Sequence, residues 1–228
     1  MKNGIDVSEW QGRIDWNQVK TDFVILRAGY GRLASQVDKC FEVNYSGCKS
    51  SGIPCGAYWF SYAVTPDEAI QEAKACIEVI RGKQFEYPIY YDVEESRILN
   101  LGQSAVSAII RAFLGELEKA GYFAGLYMSV DDLVVYTDER IRERYALWIA
   151  DYDVESPDYN GSYGMWQKSS TGRIDGIQGN VDLNEAYPDY PSIIKSKGLN
   201  GWGNEPEKHR ITVIIDGKTI IQDYEFEY

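Results

Sequence analysis

The chain has 228 residues, 44% of them hydrophobic and 14% aromatic, which suffices for one large domain with a sizeable core. Its formal net charge of −12 and the absence of any basic run argue against nucleic-acid binding and against electrostatic docking to an anionic membrane. No apolar stretch is long enough to span a bilayer. The opening MKNGID is too short and polar for a secretory signal, so we expect export through a removed signal or by another route.

Apolar runs alternate with helical segments through the first half of the chain. Buried strands are predicted over residues 4–7, 23–29, 55–61, 88–94 and 124–129. Helices are predicted over residues 37–51, 66–81 and 104–119. The second helix has the clearest start, since Thr65 stands at the N-cap, Pro66 at the first position and Glu68 three residues after the cap.

After residue 129 the helical segments become sparse. Three further strands are predicted over residues 145–150, 164–167 and 180–184, joined mostly by loops, which makes eight strands in all. Strands alternating with helices favour a parallel sheet closed into a TIM-like α/β barrel, here with a degenerate second half. A doubly wound open sheet is the structural alternative.

The last thirty residues differ in character from the rest. Residues 198–206 are rich in Gly and Asn, as linkers are, and two apolar runs then flank Asp216-Gly217, a strong signal for a β-hairpin. We therefore divide the chain into a catalytic barrel domain of residues 1–197 and a linker with a short C-terminal β-hairpin extension over residues 198–228. A lone hairpin is marginal in water, so we expect it to dock on the barrel, to begin a longer module or to pair with another chain.

Four cysteines and a single histidine limit the available chemistry. Cys40, Cys48, Cys55 and Cys76 form no C-x-x-C pair, and catalysis by a Ser-His-Asp or Cys-His group would need His209 from the tail. Cys40 and Cys48 lie ~12 Å apart in one predicted helix, too far for a disulfide, so we expect reduced, half-buried thiols. We expect neither a cofactor nor a metal site, and a cation held by acidic residues ranks well below the function inferred next.

Acidic residues fall at or near the carboxyl ends of predicted strands, the face where barrels of this class form active sites. They are Asp6, Asp92, Glu94 and Asp182. Asp92 and Glu94 stand two apart on one strand, so both face the barrel mouth with Cα atoms ~6.5 Å apart. Like charges this close raise at least one pKa, and a protonated acid beside an ionised partner is what glycosidic cleavage needs. Neutralisation of the pair by a nearby Arg or Lys is the alternative.

Several longer segments occur in a fixed order between residues 4 and 191. They are GIDVSEWQG (4–12), IDW (14–16), FVILRAGYG (23–31), GIPCGAYWFSY (52–62), PIYYDVE (88–94), GLYMS (125–129), LWIADY (147–152), MWQKSSTG (165–172) and GNVDLN (179–184). Each is weak alone, but together they resemble the glycoside hydrolase family 25 lysozymes, the Chalaropsis-type N-acetylmuramidases. The resemblance implies a barrel of the (β/α)5(β)3 kind.

The resemblance also implies an activity: cleavage of the β-1,4 bond between N-acetylmuramic acid and N-acetylglucosamine in peptidoglycan. Glu94 would be the general acid, Asp92 would orient the 2-acetamido group of the substrate, and Asp6 and Asp182 would line the cleft. The residues implied to shape the sugar groove are Tyr58, Tyr62, Tyr127, Trp148, Tyr152 and Gln167, for whose aromatic members barrel packing is the alternative role. The expected partner is bacterial peptidoglycan, with no nucleic acid or membrane, for a monomer secreted or released to act at the cell wall.

Two rival functions are weighed against this one. A chitinase of a related barrel type would need aspartates where Tyr87 and Tyr90 stand. A non-catalytic peptidoglycan- or glycan-binding barrel usually loses the acid, whereas all four carboxylates are present here.

Aromatic residues also depart from the family pattern. Trp59 replaces the histidine expected after Tyr58, and Tyr90-Tyr91 stand where many members have small residues, so we expect both changes to narrow or reshape the cleft. Trp10 and Trp16 are expected to pack inside the protein.

Overall fold

The computed structural model describes residues 1–203 and, beyond them, the backbone of two strands over residues 209–215 and 218–224. Eight strands close into a barrel in their order along the chain, and the last two form a separate two-stranded sheet. The strands are β1 (Lys2–Val7), β2 (Phe23–Tyr30), β3 (Cys55–Phe60), β4 (Ile89–Asp92), β5 (Ala124–Ser129), β6 (Ala146–Ala150), β7 (Met165–Gly172), β8 (Val181–Ala186), β9 (His209–Ile215) and β10 (Lys218–Tyr224). The predicted TIM-like α/β barrel is confirmed, and the doubly wound open sheet was wrong.

Helices follow most of the first strands and thin out later. They are α1 (Phe41–Ser50), α2 (Pro66–Ile80), α3 (Ser96–Leu99), α4 (Gln103–Lys119), α5 (Val130–Tyr136), α6 (Glu139–Arg144) and α7 (Tyr190–Ser196). The three long helices were predicted, whereas the four short ones are too brief to show an amphipathic period. Within the described part of the chain, no helix combines the length and the apolar character that crossing a membrane requires.

The starts of two helices show how side chains set their limits. Helix α2 begins as predicted, because Thr65 Oγ1 accepts a hydrogen bond of 3.2 Å from the Glu68 amide. Helix α1 begins four residues later than predicted. Asp38 N–H donates to the Ala28 carbonyl at 3.0 Å, and Val37 bridges Gly29, so these residues extend the edge of β2 instead of turning into the helix.

The eighth strand runs against the others. Strands β1 to β7 are parallel to their neighbours, but β8 is antiparallel to both β7 and β1. The connection between Gly172 and Val181 is too short for the crossover that a parallel pair requires. The reversed strand belongs to the second half of the barrel, which was predicted to be degenerate, and Asp182 lies at the start of its strand instead of at the predicted carboxyl end. Because β8 is reversed, that start still lies at the mouth of the barrel.

Buried side chains form one layer inside the barrel and another between the strands and helices. On β4, Tyr90 belongs to the inner group, whereas Ile89 and Tyr91, together with Val93 just after the strand, belong to the outer one. Tyr91 stacks on Phe113 of α4 with ring centroids 3.7 Å apart. This alternation is the predicted one, and it leaves Asp92 on the inner side, directly above Tyr90.

The amino-terminal end of the barrel is closed by aromatic rings and by the segment after α7. Tyr87 stacks on Phe23 at 4.4 Å between centroids. Asn200, which is fully buried, accepts a hydrogen bond of 2.7 Å from the Phe123 amide and donates one of 2.8 Å to the Tyr87 carbonyl. Contacts with the barrel thus extend beyond residue 197, while the division into two domains stays a prediction.

The backbone of the tail agrees with the predicted hairpin. Strands β9 and β10 pair in antiparallel fashion, with Ile215 opposite Lys218. The proposed linker residues 204–206 and the Asp216-Gly217 turn lie outside the described residues.

The cysteines are unpaired in the structure. Cys40 is half-buried, as expected, but Cys48, Cys55 and Cys76 are fully buried, which the sequence did not indicate. Burial raises the pKa of the Cys48 and Cys76 thiols, so neither has the thiolate character of a reactive cysteine.

Candidate active site

The four acidic residues chosen from the sequence all lie at the mouth of the barrel. Asp6 is near the end of β1, and Asp182 stands directly opposite it on the antiparallel strand β8. Asp92 is the last residue of β4, and Glu94 follows two residues later. The pKa of each of the four carboxyl groups is raised, and desolvation by burial is the largest cause in every case.

Asp92 and Glu94 occupy different environments, although the sequence placed both on one strand. Strand β4 ends at Asp92. The amide of Val93 still donates to the Tyr127 carbonyl at 3.2 Å, and the chain then turns into the short helix α3. Glu94 lies in that turn and is exposed, whereas Asp92 is 5% exposed. The buried carboxylate therefore lies beneath the accessible one.

Electrostatics separate the two carboxyl groups further. Burial, then the charges of Glu94 and Asp6, raise the pKa of Asp92 well above its usual value, and Arg27 opposes this shift. For Glu94, the cleft walls partly desolvate the carboxyl group, and the charges of Glu95, Asp132 and Asp182 raise its pKa further. Glu94 is therefore an accessible acid that holds its proton to a higher pH than an ordinary glutamate does. The alternative of a pair neutralised by a basic residue is not what the structure shows, because Arg27 only moderates the shift.

A network of amide side chains holds Asp6 in place. Asp6 Oδ2 accepts hydrogen bonds of 2.8 Å from Gln167 Nε2 and 2.8 Å from Asn184 Nδ2. Burial and then the charge of Asp182 raise the pKa of Asp6 well above its usual value, and the two amide donors oppose the rise. Asp6 and Asp182 thus form a second pair of acidic groups at the mouth, on the side of the site that β1 and β8 form.

Aromatic residues continue the network beneath the mouth. Tyr127 and Tyr152 each donate to Gln167 Oε1, at 2.7 and 2.5 Å. Trp148 Nε1 donates to Asn184 Oδ1 at 2.8 Å. Trp148 is only 2% exposed, so it contacts its neighbours and presents no free ring face. Tyr127 and Gln167 are buried too, whereas Tyr152 reaches the surface.

The β3 side of the mouth carries the two remaining sequence-predicted residues. Tyr58 is half-buried and lies edge-on to Trp148, with ring centroids 6.0 Å apart. Tyr62 is exposed, and Arg97 donates a hydrogen bond of 2.7 Å to its carbonyl. The Tyr62 amide donates at 2.8 Å to Glu72, a fully buried carboxylate of α2.

Glu72 holds the β3 side of the mouth in place through hydrogen bonds. It also accepts hydrogen bonds from the Tyr91 hydroxyl at 2.6 Å and from Ser61 Oγ at 3.1 Å. Burial raises its pKa, and these three donors oppose the rise. Glu72 thus ties the segment after β3 to strand β4 directly behind Asp92.

Arg27 and Asn184 belong to the site but were missed in the sequence. Arg27 on β2 stands opposite Tyr58 in the strand register, with Nε 2.6 Å from Asp38 and an Nη nitrogen 2.9 Å from Glu9. The signal for Arg27 was present, because it is the single charge in the apolar run FVILRAG. Asn184 gave no signal, since an asparagine in a predicted strand carries no charge pattern.

Aromatic residues singled out in the sequence are placed differently from expectation. Trp59 and Tyr91 are buried in the outer layer between strands and helices, so they do not narrow the cleft. Tyr90 lies inside the barrel, below Asp92. Trp16 packs as expected, but Trp10 is 80% exposed, so the expectation that it packs was wrong.

A cavity lies at the other end of the barrel, around the beginnings of β5 and β6. Its volume is about 1360 Å³, and its lining includes Tyr145, Tyr163 and Arg144. Arg144 is paired with Glu118 there at 2.7 Å. None of the four mouth carboxylates lines this cavity, so its size alone does not make it the site of the chemistry. In the part of the chain that the structure describes, no group of three or more His, Cys, Asp and Glu residues is placed to hold a metal ion.

Comparisons with known proteins agree with the geometry. The family model described as Glycosyl hydrolases family 25 matches residues 5–177. The Escherichia coli K12 protein YegX is 30% identical over 197 residues, covering 80% of this chain and 68% of that protein. The autolytic lysozyme of Clostridium acetobutylicum is 30% identical over 187 residues, covering 80% of this chain and 55% of that protein.

A solved structure shares the fold. The modular autolysin LytC from Streptococcus pneumoniae, determined in complex with a synthetic peptidoglycan ligand, aligns with a TM-score of 0.74 and 31% identity. The alignment covers 82% of this chain and 46% of that chain. The chain thus spans about half the length of the clostridial and pneumococcal proteins. Asp182 lies beyond the family match, but the strand register places it opposite Asp6.

Proposed function

The chain belongs to glycosyl hydrolases family 25 and is an enzyme of the lysozyme type, and from that premise we propose that it cleaves the β-1,4 bond between N-acetylmuramic acid and N-acetylglucosamine in peptidoglycan. The observation that carries the proposal is the pair of carboxyl groups at and just beyond the end of β4. Glu94 is accessible, Asp92 is buried, and both have raised pKa values. Bacterial peptidoglycan is the proposed substrate, and the cell wall is the proposed place of action.

Glu94 is the proposed general acid. A general acid must reach the leaving oxygen and hold a proton at the working pH. Glu94 meets the first need because it lies beyond the strand end and is exposed. It meets the second because partial desolvation and the charges of Glu95 and Asp132 raise its pKa.

Asp92 is the proposed partner of the substrate's 2-acetamido group. Its Oδ1 is buried and has no hydrogen-bond partner among the described residues. A buried carboxylate oxygen is normally paired, so an unpaired one at an active site calls for a ligand donor. The N–H of a 2-acetamido group is a donor of the right kind, and a carboxylate that accepts it would favour participation of that group in breaking the bond. Substrate-assisted enzymes of this kind lie outside the usual rule that relates carboxylate spacing to stereochemistry.

The remaining site residues are proposed to shape the groove. Asp6 and Asp182 line it opposite β4, and Tyr58, Tyr62 and Tyr152 offer partly exposed rings to sugars. Three of the proposed residues are buried: Tyr127, Trp148 and Gln167. They can contact the substrate only through ring edges and hydrogen-bonding atoms.

The bond specificity is tested by digesting purified peptidoglycan with the wild-type protein, reducing the products with borohydride and identifying their ends by mass spectrometry. We expect new muramitol ends. Glucosaminitol ends would contradict the bond assignment, and new free amines without reducing ends would indicate an amidase or peptidase. Binding to wall without any product would favour the non-catalytic barrel.

A further inference from the structure

Trp10 is the feature of the mouth that the reaction itself does not use. It is 80% exposed, whereas Trp16, Trp59, Trp148 and Trp166 are all buried. A single exposed aromatic ring is ordinary on a protein surface. What distinguishes Trp10 is the segment that carries it, residues Ser8 to Gly12, which we name the β1 loop.

Hydrogen bonds within the β1 loop fix its backbone. Ser8 Oγ accepts from the Trp10 amide at 3.3 Å, and Gln11 Oε1 accepts from the Ser8 amide at 2.9 Å, which together form a capping box. Gln11 Nε2 also donates to the Asn180 carbonyl at 3.4 Å, just before β8. The loop is therefore tied to the strand that carries Asp182.

Charged contacts fix the loop from the other side. Glu9 pairs with Arg27 at 2.9 Å and with Lys39 at 2.9 Å, and its amide donates to Asp38 at 3.0 Å. Arg27 and Asp38 are themselves largely buried. The residues on both sides of Trp10 are thus held by side chains of the barrel, while the ring between them points into solvent.

The β1 loop stands beside the site. Trp10 follows Asp6 by four residues, so its Cα lies within ~14 Å of the Asp6 Cα. A glycan chain that places one bond at Glu94 must extend beyond the mouth in both directions. Trp10 is a neutral contact, and it adds apolar surface to a rim that is otherwise rich in acidic groups.

We propose that Trp10 is a stacking platform for a pyranose ring of the glycan chain beyond the four sugars centred on the cut bond. The proposal rests on the proposed function. Tryptophan suits this role because its flat apolar face can cover the C–H face of a sugar while the indole edge stays in water. Because the backbone that carries the ring is already fixed, the loop loses little conformational freedom on binding, which favours affinity. The platform acts on binding of long chains and leaves the bond-breaking step unchanged.

The experiment compares Trp10→Ala and Trp10→Phe with the wild type, with Tyr187→Ala as the matched control. Tyr187 is an exposed aromatic residue that follows β8 at the opposite end of the barrel. Two substrates are used, both prepared from purified wall by removing the peptides: long glycan chains and tetrasaccharides. KM and kcat are measured for each, and the affinity for long chains is measured by calorimetry in a Glu94→Gln background. Thermal unfolding checks that each variant is folded.

We expect Trp10→Ala to raise KM and weaken binding for long chains ~2- to 10-fold, with kcat and all tetrasaccharide values unchanged. Trp10→Phe should recover part of the loss, and Tyr187→Ala should match the wild type. Unchanged long-chain binding in Trp10→Ala would overturn the proposal, and so would equal losses on long and short chains, which would mean that the loop acts on the catalytic residues. If the wild type cleaves nothing, the proposed function fails, while the calorimetric comparison still decides the role of Trp10.

Discussion

Replacing Asp92 with asparagine should stabilise the protein and inactivate it at the same time. Asp92 is buried, and folding raises its pKa well above the usual 3.8 because of burial and of its acidic neighbours Glu94 and Asp6. Its charged form is therefore disfavoured in the folded state. Stability from this group is fully present below pH 3.8 and is lost as the pH rises through the folded-state pKa. Asparagine has nearly the same shape and carries no charge to desolvate.

The size of the effect follows from linkage. Each unit by which folding raises the pKa costs about 1.4 kcal/mol of folding free energy once the group is ionised. In a protein of this length, 1 kcal/mol corresponds to ~2–4 °C in Tm. Because folding raises the pKa of Asp92, Asp92→Asn should raise Tm at pH 7. The gain should shrink as the pH approaches 3.8, where the wild-type carboxyl group is neutral as well.

The assay is thermal unfolding of both proteins across this pH range, alongside turnover of peptidoglycan. Asp175→Asn serves as the control, because Asp175 is an exposed loop residue. Activity of Asp92→Asn should fall ~10²-fold or more, since the acetamido group would lose its carboxylate partner. A Tm at pH 7 equal to or below that of the wild type would refute the electrostatic reasoning. Stabilisation with full activity would refute the catalytic role.

Two further predictions concern the surroundings of the pair. Glu95→Gln and Asp132→Asn should each move the alkaline limb of the activity–pH profile to lower pH, because both carboxylates raise the pKa of Glu94; a limb that stays in place in both variants would contradict this. Glu72→Ala should lower the free energy of unfolding by about 3 kcal/mol, since one backbone and two side-chain donors lose their buried acceptor. Denaturant titration measures this loss, and Glu78→Ala on the exposed face of the same helix should change stability by less than ~0.5 kcal/mol.

The barrel was predictable because its strands are short apolar runs at regular spacing. The pattern on β4 also predicted correctly that Ile89, Tyr91 and Val93 face the helices and that Asp92 faces the mouth. It could not predict that the strand ends at Asp92. The end depends on where the chain leaves its hydrogen bonds with β5 and turns into α3, which is a tertiary property.

The reversed strand β8 shows a second limit. Its apolar pattern predicted a strand and its acid predicted a site residue, but strand direction is not encoded in either. The short connection after β7 decides the direction. Asp182 still reaches the mouth, although for a different geometric reason from the one that the sequence suggested.

Supporting residues were the hardest to predict. Asn184 and Gln167 act through hydrogen bonds to Asp6 from strands more than 150 residues away in sequence. We expected Trp10 to be buried because tryptophan usually is. Its exposed position depends on the contacts that hold Glu9 and Gln11 on either side of it. Pairings of this kind depend on the closed barrel and leave no local pattern.

The most direct test of the central claim is the rate of muramitol-end formation from purified peptidoglycan by Glu94→Gln, compared with the wild type and with Glu95→Gln at each enzyme's optimal pH. If Glu94 is the general acid, its variant should lose ~10²–10⁴-fold in kcat, keep its affinity for wall and keep its Tm, while Glu95→Gln retains most of its activity. A Glu94→Gln protein that forms muramitol ends at close to the wild-type rate would contradict the account.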